Sequence, residues 1–321
     1  MAALGCASIP ASWLSAMTER IRGLLAPVVT PFDASLRPDA KRLLRHCRWL
    51  LSQGSGLAVF GTNSESNSLS VDERIALLDA LVENGIPPQR MMPGTGCCAI
   101  TDSIRLTARA VHHGVAGCLM LPPFYYKGVT DEGLYRNFAT IIDAVGDTRL
   151  RIYLYHIPPV AQVGISFELI ERLLKAYPGT VAGIKDSSGD WSNTQGLVTR
   201  FAGSGFDVFA GSESSLLPNL RAGGVGCISA TANVNPAAIH QLVKQWQSPD
   251  ADRLQAGLDA VRTIFQKRPM IAALKRAIAH WTGDEAWSRV RPPLVELGTE
   301  QAAALISELA AVRFEMPGLQ S

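Results

Sequence analysis

Lys185 closes the apolar run Val181-Ala182-Gly183-Ile184 and is followed at once by Asp186, Ser187, Ser188 and Gly189. A lysine at the end of a buried strand is either reaching for water or placed for chemistry. The chemistry is nucleophilic: burial among apolar side chains disfavours the ammonium and frees the amine to attack a ketone. Tyr155 ends the preceding apolar run, "RIYLY". A phenol beside the amine can shuttle the protons that imine formation and carbon–carbon cleavage require. Thr62, in "GTNSES" at 61–66, offers a hydroxyl to relay them, and backbone N–H groups after Gly61 suit a carboxylate. Each residue also has an ordinary reading. Strand-end lysines are mostly structural, tyrosines commonly pack with the hydroxyl in water, and glycine turns are often only turns.

The elements that must position these residues are short β-branched runs alternating with helical patterns. Strands are predicted at "GLLAPVV" from 23, "GLAVF" from 56, "MMPG" from 91, "GCLML" from 117, "RIYLY" from 151, "VAGI" from 181, "DVFA" from 207 and "GCIS" from 226. Between them lie amphipathic segments such as "DERIALLDALVENG", with Ser70 and Glu73 spaced as a capping box and Asn84-Gly85 as a stop. Crossovers of this length mean parallel pairing, and continuous apolar character means strands covered on both faces. An open doubly wound sheet and a closed barrel both satisfy this; eight βα units in roughly 225 residues favour the (β/α)8 TIM barrel by size. Beyond about residue 247 the strand signal stops. Segments near 250–266, 270–281 and 299–313 read as helices. The expected organisation is a lead over 1–20, disordered, with Met17 an alternative start; a catalytic barrel over 21–247; and a C-terminal helical domain over 248–321.

Composition narrows the function classes. Hydrophobic residues make up 47% and charged residues 18% of the 321, a soluble globular balance. A net charge of +2 argues against a nucleic-acid partner, and no apolar run reaches membrane-spanning length. The cysteines, Cys6, Cys47, Cys97, Cys98, Cys118 and Cys227, form no CxxC pair and no zinc spacing with histidine. A reducing cytoplasm is the expected location. The Cys97-Cys98 pair is expected to be strand-end packing.

Several motifs in order resemble one family: "APVVTPFD" (26–33), "GTNSES" (61–66), "PPFYYKGVTDEGLY" (122–135), "YHIPP" (155–159), "GIKDSSGD" (183–190), "GSES" (211–214), "GGVGCISATAN" (223–233) and "VRPPLVEL" (290–297). Together they are similar to the dihydrodipicolinate synthase / N-acetylneuraminate lyase superfamily of class I, pyruvate-handling aldolases, over about residues 21–313. The resemblance implies a (β/α)8 barrel with a C-terminal helical domain, in a homotetramer or dimer. By position, Lys185 matches the Schiff-base lysine, Tyr155 the proton-transferring phenol and Thr62 the relay hydroxyl. Tyr125, with Tyr126 as the fallback, matches a tyrosine that enters the neighbouring subunit's site. Gly211 and Ile228 match positions beside the pyruvyl group, and Glu213 an acidic pocket position of sugar-acid members.

The departures bear on substrate. Asn63 stands where the resemblance implies a Thr or Ser holding the pyruvyl carboxylate, and Ser64 where glycine is common. Val160 replaces the arginine with which dihydrodipicolinate synthases grip the aldehyde's carboxylate, and Ala230 the serine of sialic-acid lyases. His156 falls on the opposite face from Tyr155, which implies a supporting role. The implied function is a pyruvate-dependent aldolase acting through a Lys185 imine, with a 2-oxo acid (pyruvate and an aldehyde) as substrate and neither metal nor organic cofactor, since the protonated imine is the electron sink. Two alternatives stand beside it. One is dehydration of a 2-keto-3-deoxy sugar acid on the same imine, with Glu213 and Ser214 near the leaving hydroxyl. The other is a catalytically silent protein that binds a 2-oxo acid.

Overall fold

Apolar runs joined by helical crossovers bury both faces only in a parallel sheet with helices packed over it. The computed structural model, which describes residues 20–319, has such a sheet. Its strands are β1 (Gly23–Ala26), β2 (Gly56–Leu57), β3 (Cys118–Met120), β4 (Ile152–His156), β5 (Val181–Asp186), β6 (Asp207–Ala210) and β7 (Gly226–Ile228). They lie in the order β2-β1-β7-β6-β5-β4-β3, every neighbouring pair parallel.

The eighth predicted strand, from Met91, is not a regular one. It makes isolated parallel bridges, Leu57 with Met91 and Gly94 with Leu119. The Met92 and Gly94 amides donate to the Leu57 and Val59 carbonyls at 2.8 and 2.7 Å, and the Thr95 amide to Leu119 at 2.9 Å. Pro93 supplies no N–H, so a continuous ladder cannot run through this segment. The expectation of eight regular strands is corrected to seven, with residues 91–95 bonded to both β2 and β3.

Helices follow the strands: α1 (Ala40–Ser52), α2 (Val71–Glu83), α3 (Ile100–His112), α4 (Asp131–Val145), α5 (Pro158–Ala161), α6 (Phe167–Ala176), α7 (Trp191–Phe201), α8 (Leu216–Ala222), α9 (Pro236–Gln245), α10 (Ala251–Gln266), α11 (Met270–Thr282) and α12 (Thr299–Ala311). Their starts are chemically marked. Ser70 and Glu73 exchange side-chain-to-backbone bonds at 3.1 and 2.9 Å, the predicted capping box of α2. Asp39, Thr130, Ser166 and Asp190 each accept a first-turn amide. The last three helices occupy the segments read as helical near 250–266, 270–281 and 299–313. The lead expected over 1–20 lies outside the described residues except for Arg20.

Two buried clusters result. The larger lies between helices and sheet. The smaller gathers one face of the strands: Leu25, Ala58, Met92, Leu119, Tyr153, Tyr155, Phe209 and Ile228 among them. Glycines make room for its aromatic rings. A Cβ at Gly117 or Gly183 would come within 2.6 or 2.7 Å of the Tyr153 ring. At the strand-start end, Tyr153 donates to Asp207 at 3.2 Å, which Arg20 and Arg22 also meet at 3.4 and 3.2 Å. Lys185 and Tyr155 lie at the opposite end.

Candidate active site

Parallel register brings the chemistry together. Tyr155 on β4 is the in-register partner of Lys185 on β5, which pairs with Phe209 on β6, so the three side chains form one layer. Lys185 is 3% exposed, and its Nζ sits 4.2 Å from the centre of the Tyr155 ring. The Tyr155 hydroxyl is 3.3 Å from the Thr62 hydroxyl, so a proton can pass between them in either direction. All three groups line one cavity of about 760 Å³ at the C-terminal strand ends.

Thr62 is held by a tightly fastened loop. Residues 62–64 make a single 3-10 turn in which the Ser64 hydroxyl accepts the Gly61 amide at 3.1 Å. The Gly61 N–H is therefore spent, and Gly61 does not reach the cavity. Backbone N–H groups of Thr62 and Asn63 donate to nothing among the described residues, and both residues line the cavity. Glu65 takes the left-handed conformation (φ 57°), and its carboxylate accepts Lys275 Nζ at 2.5 Å and the Arg291 amide at 2.8 Å. Both side chains of the Glu65–Lys275 pair are fully buried. Burial pushes the Lys275 ammonium down and Glu65 pulls it back up. The αL backbone costs energy for a residue with a side chain, and the buried pair holds it there.

Gly211 follows β6 and lines the cavity. A Cβ there would lie 2.6 Å from the Asp186 carbonyl oxygen and closer still to the Ser187 hydroxyl. The Asp186–Ser187 backbone thus keeps this position a glycine. Asp186 also lines the cavity, but its carboxylate is engaged by Thr194 (2.6 Å), Asn193 (3.0 Å) and the Ser188 amide (2.9 Å).

Other sequence-predicted residues fall elsewhere. Ile228 is fully buried in the inner cluster below the cavity. Glu213 is buried behind the wall, where it accepts Ser229 and Thr231 hydroxyls and Arg262 Nη1 at 3.3 Å. Neither Glu213 nor Ser214 lines the cavity, so neither stands beside a substrate hydroxyl. Tyr125 and Tyr126 are 73% and 72% exposed, packed edge-to-face on each other, and outside this chain's cavity. His156 is buried on the outer face of β4, as alternation implies. Its Nδ1 accepts the Ile165 amide at 3.0 Å, and burial holds its pKa below the ordinary value. Cys98 is exposed rather than packed at a strand end. Among the described residues, no three His, Cys, Asp or Glu side chains are grouped as a metal site.

The far wall was not foreseen. It comes from Arg262 and Gln266 on α10, Met270 on α11, and Leu294 and Val295 after it. With Ile157 and Val160 opposite, this half is largely apolar, with Arg262 and Gln266 its polar side chains. A signal for Arg262 was present: Gln255, Leu258, Arg262 and Phe265 fall on one helical stripe, and Gln255, Leu258 and Phe265 are buried. An arginine on a buried stripe has to meet something other than water.

Comparison with known proteins bears on the family and the fold. A model of the Dihydrodipicolinate synthetase family matches residues 20–312. An uncharacterized DapA-like lyase from Chloroflexus aurantiacus is 34% identical over 287 residues, covering 88% of this chain and 94% of that protein. The crystal structure of dihydrodipicolinate synthase from Agrobacterium tumefaciens superposes with a TM-score of 0.84 at 32% identity, over 91% of this chain and 99% of the other. YagE, a prophage protein of the same family from E. coli K12 determined in complex with pyruvate, superposes with a TM-score of 0.83 at 26% identity, over 92% and 99%.

Proposed function

Since the chain belongs to the dihydrodipicolinate synthetase family, and is therefore a lyase, we propose that it forms or cleaves a 2-oxo acid through an imine on Lys185. One observation carries the reading: a buried lysine in register with a tyrosine whose hydroxyl touches Thr62, all on one cavity. The Lys185 amine attacks the ketone carbon, and water leaves as the imine forms. Tyr155 and Thr62 deliver and collect the protons of that step. In the cleavage direction the substrate's C4 hydroxyl loses its proton, the C3–C4 bond breaks and an aldehyde departs. The electron pair flows into the protonated imine, giving an enamine. Protonation at C3 and hydrolysis then release pyruvate and the free lysine. The unpartnered Thr62 and Asn63 amides are placed to hold the pyruvyl carboxylate, with the Asn63 side chain replacing the usual hydroxyl.

The proposed architecture is a (β/α)8 barrel over 21–247, closed by the irregular 91–95 segment, followed by a helical domain over 248–321. Tyr125, outside its own chain's cavity, would complete the relay in a neighbouring subunit of a dimer or tetramer. The proposed compartment is the cytoplasm; the five described cysteines are free thiols, and no described helix is long and apolar enough to cross a membrane. Val160 in place of an arginine separates the site from a typical dihydrodipicolinate synthase.

Borohydride reduction in the presence of pyruvate, read by intact mass and peptide mapping, tests the chemistry. A reduced pyruvyl adduct on Lys185, absent from Lys185→Ala, is the expected result. A folded protein without an adduct would overturn the imine. Turnover in Lys185→Ala should fall on the order of 10⁴-fold or more, as for other covalent nucleophiles. Pyruvate release, followed with a coupled lactate dehydrogenase, separates aldol cleavage from sugar-acid dehydration, which releases none.

A further inference from the structure

Arg262 is a charged group of the cavity that the imine chemistry does not use. Its side chain is 13% exposed. Nη1 donates to Glu213 Oε2 at 3.3 Å and to the Ser229 hydroxyl at 3.2 Å. A guanidinium has five N–H donors. Nη2 has no partner among the described residues, and Nε is buried without one. An arginine kept only to neutralise Glu213 would have its remaining donors met or left in bulk water.

Glu213 aims the group rather than competing for the ligand. It lies behind the wall, and its carboxylate is shared among Ser229, Thr231 and Arg262. Gln255, on the same helical stripe as Arg262, donates to the Glu213 carbonyl at 2.9 Å, locking α10 to the loop after β6. The guanidinium is thus held rigidly on the cavity, among apolar groups such as Met270, Leu294 and Val295. Planar, fixed donors facing a cavity favour a carboxylate, which can accept two of them together. The other charged cavity groups do not fill this role. Asp186 is engaged by its own turn, and Asp190 caps α7.

We infer that Arg262 is a specificity-determining residue that receives a second carboxylate, at the end of the substrate remote from the ketone, so that the substrate class is a 2-oxo dicarboxylate. In cleavage the departing fragment would then be an aldehyde that itself carries a carboxylate. The inference rests on the Lys185 site holding the 2-oxo end, and its test does not require turnover.

The probes are 2-oxoglutarate and 2-oxopentanoate, which have the same five-carbon chain and differ in the distal carboxylate. Calorimetric binding to the wild-type protein should favour 2-oxoglutarate about 10- to 100-fold, the range of a charge-assisted pair. In Arg262→Met that preference should fall to within about threefold, with 2-oxopentanoate binding nearly unchanged. Arg262→Lys keeps the charge, loses the fork and should fall between, and it serves if the methionine variant does not fold. Equal wild-type binding of the two acids, or an equal loss of both in Arg262→Met, would overturn the assignment. Borohydride trapping of pyruvate run alongside keeps the two readings apart. Wild-type trapping without any wild-type preference for the dicarboxylate rejects Arg262 alone. A preference that depends on Arg262 without wild-type trapping rejects the imine alone.

Discussion

Two buried acid–base pairs bracket the cavity, and they are built to opposite ends. Glu65–Lys275 is dry on both sides, and both Glu65 oxygens are occupied, by Lys275 and by the Arg291 amide. Glu213–Arg262 is dry only on the acid's side, with the base turned to a cavity and its Nη2 without a partner among the described residues. A closed pair is a fastening, here between the Thr62 loop and α11. A half-open pair presents donors to a ligand while the hidden acid keeps them aimed. Each pair joins a buried glutamate to a base, and they differ in whether the base has donors left over toward the cavity.

The contrast can be broken most severely at the closed pair. Lys275→Met leaves Glu65 charged and unpaired and should cost about 3–5 kcal/mol of unfolding free energy, read by denaturant titration. Glu65→Gln/Lys275→Met removes both charges and should lose markedly less than the single variant. A double variant as unstable as Lys275→Met would show that the methionine's shape, not the orphaned charge, is at fault. At the open pair, Arg262→Met leaves Glu213 with two hydroxyl donors and should cost about 1–3 kcal/mol. A larger loss than at Lys275 would reverse the comparison.

A third buried base sharpens it by having no acid at all. His46, on α1, stacks on Trp49 with ring centres 5.5 Å apart, and burial pushes its pKa down to about 4. Between that value and the ~6.5 of an unfolded histidine, the unfolded chain binds the extra proton. His46 therefore supports the fold fully above pH ~6.5, and that support is lost as the pH falls toward 4, by at most about 1.4 kcal/mol per unit. Denaturant midpoints from pH 7 to 4.5 should show the slope, and His46→Phe, which keeps the stack, should flatten it. An unchanged slope in the variant would place the titration elsewhere.

Much of the site's geometry was legible because it sits where strand periodicity fixes direction. The apolar runs ending at Tyr155 and Lys185 put both on one layer, and the same alternation sends His156 to the other face. Thr62 was reachable as a strand-end hydroxyl. Glu213 was misplaced because the turn after β6 directs its side chain behind the wall, a direction no spacing encodes. The strand at 91 was overread: its composition is apolar, but Pro93 withholds the amide that a ladder needs. Arg262 was missed for a deeper reason. Its helix follows the last strand, and nothing in its local pattern says which opening it will cover, only that an arginine sits on a buried stripe.

That late wall has a bearing on how the protein is made. Glu65 and its partner Lys275 are 210 residues apart in the chain, and Arg262, Met270 and Val295 all follow Lys185. On the ribosome the amine emerges well before anything that can roof it, and domains assemble as their residues appear. A nascent chain that stalls after β7 therefore carries the lysine at an open sheet end, with the Thr62 loop unfastened and the far wall absent. On the proposed imine chemistry, completing this late wall is what would turn an open amine into a selective one.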